Sequence, residues 1–228
     1  MNIVTLLEMA AEVFPDRIAV TDGARTLSYA GLLQAAQAAG QAIRASGAGY
    51  VSLLDIGSLA APVALYGAAY ARLPYAPLNY RLAKAEIEAL IERVTPAYLI
   101  AGSEFSDPLT LGDGVSLIGR EAFLTFDPPA EPLSGSDEPR DVAVQLFTSG
   151  TTGQPKAAIL RHGNLTAYIL GAVEFGSAEE DEATLVSVPP YHIAGISAVL
   201  SSTYAGGAWC CSAISSRRAG SNWRRRSA

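Results

Sequence analysis

The chain has 228 residues, half of them hydrophobic and 17% charged, which fits a globular protein with a sizeable core and excludes a disordered one. A formal net charge of −6 argues against a general nucleic-acid binder. The only cysteines, Cys210 and Cys211, are adjacent and supply no disulfide framework, and with just two histidines a zinc site is not expected.

The N-terminus has no cationic segment followed by an apolar core, so it does not read as a secretory signal. The longest apolar stretch, Leu53 to Leu73, contains Asp55, Pro62 and Arg72 and reads as a strand and helix, not a membrane span. The cytoplasm is the expected location.

In chain order, Asn2 to Val13 has apolar residues at helical spacing and is broken by Phe14-Pro15-Asp16. Arg17 to Val20 and Arg25 to Ser28 predict two strands joined by a turn at Asp22-Gly23. Tyr29 to Ala45 predicts a helix, Tyr50 to Ile56 a buried strand, Ala60 to Ala71 a helix and Tyr75 to Leu78 a short strand. Lys84 to Val94 predicts a further helix, and Ala97 to Ala101 and Val115 to Ile118 two strands. Asp127 to Arg140, rich in Pro, Ser, Gly and acids, reads as a surface connection. Val142 to Phe147 and Ala157 to Leu160 predict strands, Gly163 to Phe175 a helix with Asn164 as its cap, and Thr184 to Val188 a strand. This alternation indicates an α/β fold with a mostly parallel sheet flanked by helices. Glu179 to Glu182 reads as a solvated acidic turn, not a metal site.

The most informative stretch is Leu146 to Lys156, L-F-T-S-G-T-T-G-Q-P-K. Glycines let backbone N–H groups turn toward an anion. Thr148, Ser149, Thr151 and Thr152 add hydroxyl donors around Gly150 and Gly153, and Lys156 adds positive charge. That chemistry suits a polyphosphate. The Walker A pattern places its lysine directly after a glycine and a hydroxyl residue after the lysine; here Gln154 and Pro155 intervene and Ala157 follows. The plainer reading is a polar turn between two strands, and for Lys156 a solvated side chain.

The T-S-G-T-T-G-x-P-K run resembles the signature loop of the AMP-forming adenylating enzymes: acyl-CoA synthetases, luciferases and peptide-synthetase adenylation domains. Pro189-Pro190-Tyr191-His192-Ile193-Ala194-Gly195 is similar to that family's P-x-x-H-x-x-G segment, and Pro74 to Asn79 to its V-P-L-N strand. The resemblance covers residues 1–206 and implies part of the large N-terminal domain of the adenylate-forming fold. It implies a ligase chemistry in two halves. A carboxylate, with a fatty acid as the expected substrate, attacks the α-phosphorus of ATP, releases pyrophosphate and gives an acyl-adenylate; the thiol of coenzyme A or of a carrier then displaces AMP. ATP, Mg²⁺ and coenzyme A are the implied cofactors. Thr148, Ser149, Gly150, Thr151, Thr152, Gly153 and Lys156 would hold the β- and γ-phosphates. His192 would line the junction of acyl pocket, adenylate and thiol tunnel, against a plain reading as a backbone-bonded junction residue. His162 matches a frequent family histidine with a capping or packing role.

The same resemblance leaves gaps. The Y-G-x-T-E motif, the ribose-binding aspartate, the hinge and the small C-terminal domain with its lysine are missing, so the expectation is a chain inactive alone. A separately encoded C-terminal half, or a noncatalytic nucleotide-binding remnant, is the alternative. From Gly207 the composition shifts to both tryptophans, both cysteines, five arginines and no acid. Residues 207–228 are therefore expected to be a disordered tail foreign to the family. A basic tail for nucleic acid or anionic membrane is one account; a displaced reading frame is the preferred one. Shifted by one base, the Trp209–Cys210 codons give valine and the Cys210–Cys211 codons give leucine.

Overall fold

The computed structural model describes residues 1–135, 138, 140–148 and 155–211. Helix α1 (Val4–Val13) precedes a hairpin of β1 (Ile18–Asp22) and β2 (Arg25–Ser28). Helix α2 (Tyr29–Ala45) starts where the Ser28 side chain accepts a hydrogen bond from the Gly31 N–H at 3.1 Å, a cap that satisfies one of the free N–H groups of the first turn. Then come β3 (Tyr50–Leu54), α3 (Ala60–Ala71), β4 (Tyr75–Pro77), α4 (Lys84–Glu92), β5 (Ala97–Ala101), the single turn α5 (Ser103–Ser106), β6 (Val115–Gly119) and the single turn α6 (Arg120–Phe123). The chain continues through β7 (Val142–Thr148), β8 (Lys156–Arg161), α7 (His162–Ala172), β9 (Ala183–Val186), α8 (Ile193–Ala205) and β10 (Ala208–Cys211).

The strands form two sheets where the sequence suggested one. The larger has the order β6-β5-β3-β4-β7-β8, parallel except for β8; the smaller has the order β2-β1-β10-β9, parallel except for β2. The reason lies in α3: all its residues are buried, and a helix apolar on every side needs neighbours on every side. With α2 it links the inner faces of both sheets in one core, from Val20 and Trp209 to Leu53, Tyr75 and Val144. Gly40 and Gly67 set the α2–α3 spacing. A Cβ on Gly67 would sit 2.9 Å from the Ala39 Cβ, and one on Gly40 2.7 Å from the Tyr70 Cβ. The outer face of the larger sheet, with Leu54 and Leu99, is covered by Ile87, Leu90 and Ile91 of α4.

One expectation is corrected. Ala208 to Cys211 do not belong to an unpacked tail: they form β10, the central strand between β1 and β9, with Val20 opposite Trp209 and Leu185 opposite Cys210. Trp209 is 2% exposed, and the Tyr29 hydroxyl donates to the Gly207 carbonyl at 2.7 Å. The arginines that suggested a solvated tail start only at Arg217, whereas Ala-Trp-Cys-Cys is neutral and apolar enough to fill a strand slot. Residues 212–228 lie outside the described residues. Element ends also move: α7 begins at His162 and stops at Ala172, and Asn164 lies inside its first turn with Oδ1 accepting from the Arg161 N–H at 3.4 Å.

Candidate active site

Strand β7 is buried from Ala143 to Leu146 and emerges at Thr148, which is exposed. Its antiparallel partner β8 returns with Lys156 opposite Thr148 and Ala157 opposite Phe147. Residues 149–154 join these two strands in the sequence. Ser149, Gly150, Thr151, Thr152 and Gly153 lie outside the described residues; the two feet, Thr148 and Lys156, do not. The Thr148 hydroxyl donates to the Lys156 carbonyl at 3.4 Å, so it ties the feet together, and the Lys156 side chain is exposed.

The second motif forms a tight turn into α8. The His192 N–H donates to the Pro189 carbonyl at 3.1 Å, and the His192 carbonyl accepts from the Gly195 and Ile196 N–H groups at 3.0 and 3.3 Å. The glycine is needed for this turn, since a Cβ at Gly195 would come 2.9 Å from the Pro189 carbonyl oxygen. His192 occupies the N-cap position of α8 with an exposed side chain, its ring 4.6 Å from that of Tyr191. Tyr191 is buried and packs edge-on against Tyr80 at 5.5 Å, and Tyr80 meets Phe105 at 5.2 Å. This aromatic row fixes the histidine turn to the segment between β4 and α4.

Thr148 and His192 face the same cavity, of about 700 Å³. Its floor comes from Leu146 and Phe147, and its side from Ala85, Ala89 and Arg93 of the α4 region. Pro155, Tyr191 and Ile193 complete the rim near the loop. Lys156 is not among the lining residues. The cavity opens at the carboxyl ends of the parallel strands β4 and β7, the edge at which α/β sheets place ligands. Sequence reasoning missed Arg93, Tyr80 and the two alanines. Arg93 closes an ordinary amphipathic helix, and no local pattern marks it. Among the described residues no group of three or more His, Cys, Asp or Glu side chains could hold a metal ion, and no helix is long and apolar enough to cross a membrane.

His162 lies apart from this cavity. It is 2% exposed at the start of α7, its Nδ1 accepting from the Ile3 N–H at a long 3.5 Å. Burial pushes its pKa down to about 4; Asp141 opposes that shift and the N-terminal ammonium adds to it.

The sequence model of the family described as AMP-binding enzyme matches residues 7–224. The chain belongs to that family. The match runs through both motifs and through β10. Among its relatives, a feruloyl-CoA synthase of Amycolatopsis sp. is 29% identical over 195 residues, 83% of this chain and 39% of the relative. An indoleacetate–CoA ligase of Aromatoleum aromaticum is 27% identical over 215 residues, 86% of this chain and 42% of the relative. The chain thus spans about two fifths of the length of these curated relatives. The fold matches that of an O-succinylbenzoate coenzyme A synthetase from Bacillus subtilis solved in complex with AMP. The TM-score is 0.83 at 22% identity, over 97% of this chain and 58% of that one.

Proposed function

We propose that the protein activates a carboxylic acid with ATP in the cytoplasm, forming an acyl-adenylate, and passes the acyl group to the thiol of coenzyme A. The observation that carries this reading is the meeting of two motifs at one cavity. Thr148, at the root of the phosphate-type loop, and His192, in its glycine-tightened turn, line the same apolar space at a sheet's carboxyl edge. The names of the CoA ligases to which the chain is similar support the acid and the thiol.

In this reading the hydroxyls and amides from Thr148 to Gly153 bind the β- and γ-phosphates, and Lys156 supplies charge beside them. Hydroxyl, amide and cation donors fit a triphosphate, and Mg²⁺ would enter with it. When bound, ATP and its metal supply an electrophilic phosphorus. The chain's own residues orient the acid and exclude water. Leu90, Phe147, Tyr191 and Ile193 make the cavity apolar, which suits a fatty or an aryl acid. His192 stands at the cavity rim, placed to touch the carboxylate end of such an acid.

The chain alone does not complete the cycle. Strands β8 and β9 are the outer strands of their sheets, with Ile159 and Leu185 exposed, which supports docking of a further stretch of domain, on the same or a second polypeptide. The 228-residue chain is therefore expected to bind polyphosphate but to show no carboxylate-dependent ATP–pyrophosphate exchange. Exchange above background with any of a panel of fatty and aryl acids overturns the inactivity. Calorimetry with ATP tests the loop: Lys156→Ala with Thr151→Ala should weaken binding at least tenfold, the loss of a charged donor and a hydroxyl donor together (about 1.4 kcal/mol per tenfold). Equal affinity in the double variant, or no binding by the unaltered chain, refutes the assignment.

A further inference from the structure

The phosphate-type loop runs between two strand ends, and something must hold those ends in place. From outside the hairpin, the Arg93 side chain reaches both. The Arg93 Nη1 donates to the Pro155 carbonyl at 2.7 Å, on the return side of the loop. The same guanidinium lies 5.0 Å above the Phe147 ring, on the entry side. Phe147 in turn packs against the small core of Ala76, Val94 and Ala97. Arg93 is the residue that ends α4, where a cation is favoured by the free carbonyls of the last turn. Its backbone is thus fixed by the helix, while its planar head bridges the hairpin feet. A planar group that stacks and donates at once is arginine's particular capacity; lysine can supply the charge and one donor but not the stacked fork.

The neighbours of Arg93 give this bridge a second consequence. Ala89 and Ala85, one and two turns back along α4, line the cavity, as does Arg93 itself. The wall against which an acid would rest and the clamp on the loop feet therefore belong to one helix. We propose that Arg93 is a positioning residue: it holds Phe147 and Pro155, the described residues on either side of the phosphate-type motif, in the placement that triphosphate binding needs, and it ties that placement to the α4 wall of the cavity. The first half stands on geometry alone; the link to triphosphate rests on the function proposed above.

The test uses the 228-residue chain and three variants, Arg93→Ala, Arg93→Lys and Phe147→Leu. Phe147→Leu removes the stacking partner and leaves the Pro155 hydrogen bond. Hydrogen exchange is followed at the amides of 146–148 and 156–158, with those of β3 and β5 as internal standards. In Arg93→Ala the hairpin-foot amides are expected to exchange about tenfold faster, with the standards unchanged, the scale for losing one charge-assisted hydrogen bond. Arg93→Lys and Phe147→Leu should each fall between Arg93→Ala and the unaltered chain. Calorimetric titration with ATP should rank the four proteins in the same order, with affinity in Arg93→Ala down about tenfold. A merely structural staple would not produce that shared ranking, because it would lower thermal stability without tracking ATP affinity. Unchanged exchange in Arg93→Ala overturns the anchoring role. Faster exchange with unchanged ATP affinity overturns the positioning role while leaving the loop assignment intact. Faster exchange with no ATP binding even by the unaltered chain overturns the functional reading and leaves Arg93 as an anchor only.

Discussion

Acid should destabilise this protein through His162 in a way that a single substitution removes. The imidazole is buried at the start of α7, and its only acceptor atom seen in use is Nδ1, toward the Ile3 N–H. Burial holds its pKa at about 4 in the folded chain, against 6.5 for an unperturbed histidine. Below pH 6.5 the unfolded chain takes up a proton that the folded chain refuses until pH falls to about 4. The stability that His162 contributes is therefore complete above its unfolded pKa and is lost as pH falls through this window. One pKa unit corresponds to ~1.4 kcal/mol, so by pH 5 the loss approaches ~2 kcal/mol. With a urea dependence of ~2 kcal/mol per molar, the unfolding midpoint should fall by about 1 M between pH 7.5 and pH 5. His162→Gln keeps an acceptor for Ile3 and cannot titrate. Whatever its starting midpoint, it should move far less between the two pH values. Asp55 works in the opposite direction, since burial raises its pKa and favours the folded state as it protonates; it is common to both proteins and cancels in the comparison. Equal midpoint shifts in the two proteins would show that His162 is not the acid-labile group.

Two further changes probe the frame around the site. Gly67→Val should cost about 2 kcal/mol in urea unfolding, because a Cβ there meets Ala39 at 2.9 Å and the added methyls force α2 and α3 apart; a neutral result would mean the helices are loosely packed. Asp55→Ala should cost about 2–3 kcal/mol at pH 7. The fully buried carboxylate bonds Arg120 at 2.5 Å and the Ser58 hydroxyl at 2.7 Å, although Glu104 at 3.1 Å would still hold the partly exposed guanidinium. An unchanged midpoint in that variant would show that the ion pair only offsets its own desolvation.

Much of the local structure was legible because its causes are local. Ala60–Ala71 matches α3 end for end, and Tyr29–Ala45 matches α2, because apolar spacing and the flanking Ser and Gly breakers act within one segment. The two-sheet division was not legible. It depends on β1 pairing with β10, and Val20 gives no sign that its neighbour is Trp209. The same blindness explains β10: Trp-Cys-Cys looks foreign beside a basic tail, yet the gap between β1 and β9 selects for an extended, apolar segment and accepts it. In the site, Thr148 and His192 were readable as motifs, and the turn geometry at Pro189 explains why the second motif ends in glycine. The α4 wall was not readable, since Ala85, Ala89 and Arg93 gain meaning only when β7 is laid beside β4.

The topology around the loop also says where its electrostatics must come from. In a Walker A site the loop leads into a helix, whose N-terminal amides and dipole favour the phosphates. Here the loop is entered from β7 and left by β8, its antiparallel partner, so neither flank is a helix N-terminus. Sheets carry only small net dipoles. For the anion site proposed above, the field would therefore fall to amides, hydroxyls and nearby cations, and the described cations at the feet are Lys156, exposed, and Arg93, engaged with Pro155 and Phe147. A site that relies on exposed cations is screened by salt more readily than one built on a buried helix end. On the reading proposed above, one solvated lysine and one anchored arginine would divide the labour: the first would bring charge to the phosphates, and the second would hold Phe147 and Pro155 on either side of the motif.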